Sequence, residues 1–134
     1  TESAVRLRHK LSGVTAIGED SRSQAENKLH AVRRLRAAIA LEVREPVSDI
    51  SPRLSAMIAG GTAPLGAKTR VTGEFWAAIA ELLDRLVANN LEIATTAQQL
   101  GMTTGALSKL LLHDEQVART GNDLRRARGM RPLR

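Results

Sequence analysis

Residues 4–41 constrain the fold more than any other stretch. They open with Ala4-Val5-Arg6-Leu7-Arg8-His9, turn at Leu11-Ser12-Gly13 and continue with Val14-Thr15-Ala16-Ile17; a long basic run follows Glu19-Asp20-Ser21-Arg22-Ser23-Gln24-Ala25-Glu26-Asn27. Val5 and Leu7 alternate with Arg6 and Arg8, the period of a strand with one buried face. Ser12-Gly13 supplies turn chemistry, so a hairpin is expected, with a shorter second strand around Val14 and Ala16. Ser21, with Gln24 three positions on, fits a capping box. Ala25, Leu29, Val32, Leu35 and Ile39 recur at helical spacing and define an apolar face to lie on the hairpin, with Asn27 and Arg34 opposite. The helix is expected over residues 21–44, with Pro46 ending it. Lys28, Arg33, Arg34 and Arg36 give it a basic flank, and Arg36, inside the apolar arc, must snorkel.

The net charge of +6 favours a polyanionic partner, or simply a well-solvated surface. The charge is uneven: Arg119, Arg125, Arg126, Arg128, Arg131 and Arg134 crowd the end against Asp123 alone. With no cysteine, and with His9, His30 and His113 scattered, no metal site is expected. No run approaches the ~18 apolar residues of a membrane span, so no membrane partner is expected. Phe75 and Trp76 are the only aromatics, which leaves an aliphatic core. No Gly-x-Ser-x-Gly, P-loop or dinucleotide signature occurs.

The hairpin and helix start also carry a resemblance. Ser3-Ala4-Val5-Arg6-Leu7-x-His9, Gly13 in the turn, and Asp20-x-Arg22-Ser23-Gln24-x-x-Asn27 resemble the catalytic domain shared by class I peptide chain release factors and their ribosome-rescue relatives. The resemblance implies a cytoplasmic translation protein that binds the ribosome, ribosomal RNA and peptidyl-tRNA without a cofactor. In that family a Gly-Gly-Gln loop lies just before this strand and positions water at the peptidyl-tRNA ester. No Gly-Gly-Gln occurs in the 134 residues, and Gly60-Gly61 is followed by Thr62. The chain opens at Thr1, mid-strand and without Met, so an upstream segment is expected. Hydrolysis is expected only if that segment supplies the loop. No codon-reading domain is visible, which suits rescue better than stop-codon termination. The resemblance assigns Arg6, Arg8, Arg22, Ser23, Gln24, Asn27 and Arg34 to RNA contact or loop support. Read from the residues alone, Arg6 and Arg8 are equally ordinary outward arginines, and capping accounts for Ser21 or Ser23 and part of Gln24.

Residues 45–73 read as a connector rich in Pro and Gly. A short helix is expected inside it, capped by Ser51, with Pro52 first, Leu54, Met57 and Ile58 on one face, and a stop at Gly60. Residues 63–70 read as a loop. A second strong helix, from Thr72 or Gly73 to about Asn90, carries Phe75, Trp76, Ile79, Leu82, Leu83, Leu86 and Val87, with Glu81 and Arg85 as an i,i+4 pair. Ala97-Gln98-Gln99-Leu100-Gly101-Met102-Thr103-Thr104-Gly105-Ala106-Leu107-Ser108-Lys109-Leu110 resembles the helix-turn-helix of transcription factors. Its exposed second helix would offer Thr104, Gly105, Ser108 and Lys109. A last short helix, capped by Asn122 or Gly121, is expected to end at Gly129 in an extended basic tail.

The fold expected is α+β: a small β-hairpin packed by a long helix, then a helical C-terminal region with a helix-turn-helix. Its parts are residues 1–45 (release-factor-like), 46–72 (linker with a short helix) and 73–134 (helix-turn-helix and basic tail). Three functions compete. One is a release-factor-like translation protein. Another is a DNA-binding regulator using the helix-turn-helix. The third is a non-catalytic RNA- or ribosome-binding module. Thr104, Ser108, Lys109, Arg125, Arg126 and Arg128 are candidate nucleic-acid contacts.

Overall fold

The structure is a computed structural model, and it describes residues 3–60 and 72–134. The loop expected over residues 63–70 lies outside the described residues. The fold is α+β, as expected: a two-stranded hairpin on a long helix, followed by a helical region.

Strand β1 (Val5–Arg8) pairs antiparallel with β2 (Thr15–Gly18), Val5 opposite Gly18 and Arg8 opposite Thr15. Arg6 and Arg8 point outward and Val5 and Leu7 inward, as the alternation requires. Gly13 turns the chain at φ +77°, and His9 N–H donates to the Val14 carbonyl at 2.8 Å.

Helix α1 (Gln24–Glu42) is shorter at both ends than the expected 21–44. Ser23, not Ser21, is its N-cap, accepting from Glu26 N–H at 3.3 Å. Ser21 stays outside because its own backbone is held by Asn27. At the other end Val43 is extended, three residues before Pro46.

The face of α1 that meets the hairpin also differs from expectation. Leu29 is 56% exposed, Ala25 is exposed, and Val32, Leu35 and Ile39 are only partly covered. Asn27, Ala31, Ala37 and Ala40 are buried instead. The reason is distance. A Cβ on Gly18 would lie 1.9 Å from the Asn27 carbonyl oxygen and 3.0 Å from Ala31 N, so strand and helix backbones nearly touch. Only small residues, or one whose polar group bonds the backbone it meets, fit such a seam.

Helix α2 (Pro52–Gly60) follows its expected pattern: Ser51 Oγ accepts from Leu54 N–H at 3.2 Å, and Leu54 and Met57 are buried. Helix α3 (Glu74–Ala88) is the hub. Phe75, Trp76, Ile79, Leu82, Leu83 and Leu86 are buried on it, and each Leu contributes about 2 kcal/mol of burial. The expected Glu81–Arg85 pair does not form. Glu81 takes Ser51 Oγ at 2.6 Å and lies 3.7 Å from Arg53, while Arg85 reaches the Ser48 carbonyl and Gln99. Asp84, also buried, lies 3.3 Å from Arg44 and accepts from Glu45 N–H at 3.1 Å, tying the end of α1 to α3. Burial pushes the Asp84 carboxyl up and the Arg44 guanidinium down. Desolvation offsets much of the attraction in such a pair, so it adds little net stability.

Helices α4 (Ile93–Gln99) and α5 (Thr104–His113) form the helix-turn-helix. Gly101 adopts φ +69°, and Met102 N–H bonds back to the Ala97 carbonyl, a glycine-terminated helix stop. Thr103 caps α5 through Ala106 N–H, while Ala97, Leu107 and Leu110 are buried. Helix α6 (Glu115–Ala127) is longer than expected, starting at Asp114 as N-cap, so Gly121 and Asn122 lie within it. The tail is not a free extension. After Gly129 it folds back, Leu133 is buried, and Leu133 N–H donates to Asn122 Oδ1 at 2.7 Å. Among the described residues, no helix is long and apolar enough to cross a membrane.

The hairpin–helix seam makes a direct prediction. Gly18→Ala forces the backbones apart and lowers stability by about 3 kcal/mol in urea denaturation. Gly129→Ala, whose Cβ meets nothing within 4 Å, lowers it less, through its positive φ alone.

Candidate nucleic-acid interface

The site is built around the buried side chain of Asn27. Its Nδ2 donates to the Ser3 carbonyl and to the Ser21 carbonyl, each at 2.8 Å. Its Oδ1 accepts from Ser21 N–H at 2.9 Å, and Ser3 Oγ donates to the Ser21 carbonyl at 3.1 Å. One amide therefore ties three chain segments together: the lead-in to β1, the turn after β2, and the first turn of α1. Sequence periodicity puts Asn27 on the outward face of the helix; the structure puts it at zero exposure.

The helix start is wired to the same turn. Ser23 N–H donates to Ser21 Oγ at 3.0 Å, and Ser21 Oγ donates to Glu26 Oε2 at 2.6 Å. This is a capping box with a hydroxyl inserted between its halves, and Glu26 fills the place expected of Gln24. Gln24 and Arg22 are left exposed at the helix N-terminus.

Arg34 is committed to the fold. Its Nη1 donates to the Ile17 carbonyl at 2.7 Å, and its two terminal nitrogens grip both Asp20 oxygens. This bidentate contact holds the Asp20 carboxyl at about 2, below its ordinary 3.8. Arg34 thereby braces the 17–20 turn. Arg6 and Arg8 are exposed on the outer face of the hairpin, beside Thr15 and Ile17. None of these four outward residues is acidic. Glu19 lies at the end of the hairpin away from its tip.

The C-terminal candidates separate into two kinds. Arg125 is structural: its Nε donates to the Arg131 carbonyl and its Nη1 to the Leu91 carbonyl, each at 2.7 Å. Arg126 pairs with Asp123 at 3.0 Å on the surface, and Arg128, Arg131 and Arg134 are exposed. On α5, Thr104 and Lys109 are exposed and Ser108 half-buried, so that face carries a single charge.

The hairpin residues and the α5 face are therefore separate candidates, on different elements. Among the described residues, no cluster of three or more His, Cys, Asp or Glu side chains is placed to hold a metal ion. A cleft of about 260 Å³ between α1 and α3 is lined by Arg36, Ile39, Ala40, Gly73, Trp76 and Ala80, with no carboxylate or histidine. Sequence reasoning missed Ser3 and Ser21 as partners of Asn27. Their signal was the number of hydrogen-bonding side chains packed into residues 19–27, more than one helix cap can use.

Comparison with known proteins gives one relationship. The chain is 34% identical over 122 residues to peptide chain release factor 1 of Chlamydia trachomatis serovar L2, and equally to that of serovar D. The match takes in 86% of this chain and 33% of each relative, so the chain spans a third of the length of the curated relatives it matches. It supports family-level homology to peptide chain release factor 1. No protein-family model matches the chain, and no solved structure matches it significantly.

Two predictions come from the site. Asn27→Ala removes the bond to Ser21 N–H and the amide donors to the Ser3 and Ser21 carbonyls, and costs about 3 kcal/mol in urea denaturation. The Asp20–Arg34 contact is fully formed above the ordinary pKa of 3.8 and is lost as pH falls through about 2. An acid titration followed by circular dichroism should show this loss in the wild type. Asp20→Asn should remove that part of the pH dependence.

Proposed function

We propose, on the premise of family-level homology to peptide chain release factor 1, that this chain is the ribosome-binding part of a release-factor-like translation protein. In this reading residues 1–45 form a catalytic-domain part, 46–72 a linker, and 73–134 an accessory helical part. The partners are the ribosome, its RNA and peptidyl-tRNA, and the location is the cytoplasm. The chemistry is hydrolysis of the peptidyl-tRNA ester. It requires a Gly-Gly-Gln loop joined to the N-terminal side of Ser3, because no such tripeptide occurs in these 134 residues.

The observation that carries the reading is the Asn27 clamp. It fixes the Ser3 carbonyl, where the chain enters β1, to the rigid start of α1. A loop that must present a side chain accurately to a reacting ester gains from being rooted on such a base. The outward Arg6 and Arg8 then supply phosphate contacts that position but do not read sequence.

The DNA-reading alternative is weaker on this geometry. A recognition helix reads bases with Arg, Lys, Asn or Gln. Of these types α5 carries only Lys109, where a reading helix uses several.

Co-sedimentation with purified ribosomes across a salt series tests the proposal. The wild-type chain should pellet with ribosomes. Arg6→Ala with Arg8→Ala should weaken binding about tenfold and flatten the log–log salt slope by about 1.5. Lys109→Ala should change neither. Binding to duplex DNA but not to ribosomes would overturn the reading. Peptidyl-tRNA hydrolysis assayed on the chain extended by its native upstream residues separates a hydrolase from a non-catalytic binding module.

A further inference from the structure

The tip of the hairpin holds three side chains that the fold does not use. Leu11 is 94% exposed, and Lys10 beside it is exposed. The Arg8 guanidinium lies over the turn, 3.7 Å from where a side chain on Gly13 would begin. The tip is nonetheless well braced. His9 N–H and Gly13 N–H close backbone hydrogen bonds of 2.8 Å across it. His9 Nδ1 and Ser12 Oγ share a 2.7 Å hydrogen bond, and Ser12 Oγ also accepts from Val14 N–H at 3.2 Å. A braced turn that holds an apolar side chain in water, flanked by two cations, is preorganised for a ligand with one apolar face and adjacent anions.

We infer that this tip is an RNA insertion element: Leu11 packs against an unstacked nucleobase while Arg8 and Lys10 hold the neighbouring phosphates. The inference rests on the proposed reading that the outer hairpin face meets RNA, and it names the feature recognised there, an unpaired nucleotide rather than a duplex. Charge complementarity chooses the occupant. The tip continues the Arg6–Arg8 face, whose outward strand residues include no acid. Apolar wedges between bases are a known use of leucine in nucleic-acid binding, and unpaired RNA offers open base faces without the cost of unstacking a duplex.

The test uses the 134-residue chain and fluorescence anisotropy with two labelled RNAs of about 16 nucleotides, one single-stranded and one fully paired. Leu11→Ala should lose about tenfold in affinity for the single strand, with an unchanged salt slope and little change on the duplex. Lys10→Ala should lose affinity on both and flatten the salt slope by about 0.7. Leu11→Phe should keep single-strand binding. Leu11 is almost wholly in water, so its variants should keep the wild-type melting curve, which checks folding. Equal binding by wild type and Leu11→Ala overturns the inference and leaves the proposed function standing. An equal loss on both RNAs also overturns it. Loss by Leu11→Ala on phosphatidylglycerol vesicles, with none on RNA, assigns the tip to a membrane surface instead. A wild-type chain that binds neither RNA, and does not pellet with ribosomes, overturns both readings.

Discussion

A single buried carboxamide organises the N-terminal half of this chain. Asn27 cannot be left unpaired at zero exposure, since each unmet polar group there costs about 1–3 kcal/mol. Its donors and acceptor are met only when Ser3, Ser21 and the first turn of α1 converge. That convergence sets which way the hairpin lies on the helix. It brings Gly18 and Ala31 into backbone contact, and it leaves Arg6, Arg8 and the tip facing outward. The basic outer face follows from the polar knot beneath it.

The two halves of the molecule are held by different physics. The hairpin and the start of α1 rely on hydrogen bonds and small residues, with the Asp20–Arg34 grip bracing the outer turn. The helical half relies on aliphatic burial around α3. Its stops at Asn90, Gly101 and Gly129 all use left-handed residues that return an amide to a helix carbonyl. Arg125, through the Arg131 carbonyl, and Leu133 then fold the tail onto α6. The arrangement suits a rigid hairpin presented by a stable helical body.

Much of this was legible in the sequence, for reasons that can be named. The alternation of Val5, Leu7, Arg6 and Arg8 gave the strand and its faces. The spacing from Ala97 through Gly101 to Leu107 gave the helix-turn-helix, because that turn needs a residue at positive φ. The helix face on the hairpin was not legible. Periodicity weighs bulky apolar residues, so Leu29 and Val32 outvote Ala31 and Asn27; a seam this tight selects for smallness and hydrogen bonding instead. The folded tail was missed for a similar reason. Its anchor is one leucine, Leu133, among arginines, and the partner that holds its backbone is Asn122, which composition suggests as a helix cap. Arg34 reads as one more cation on a basic flank until Asp20, fourteen residues earlier, is placed beside it.

The proposed function sets the hairpin, not the helix-turn-helix, against RNA on the ribosome. The chain has no cysteine, so a single one can be placed at will. An iron chelate tethered through Lys10→Cys on the tip, or through Lys109→Cys on α5, generates hydroxyl radicals that cut nearby RNA in ribosome complexes. A hairpin that faces RNA gives localised ribosomal RNA cleavage from the tip probe and little from the α5 probe. Cleavage confined to the α5 probe, or none from the tip in a complex that has formed, would contradict that placement.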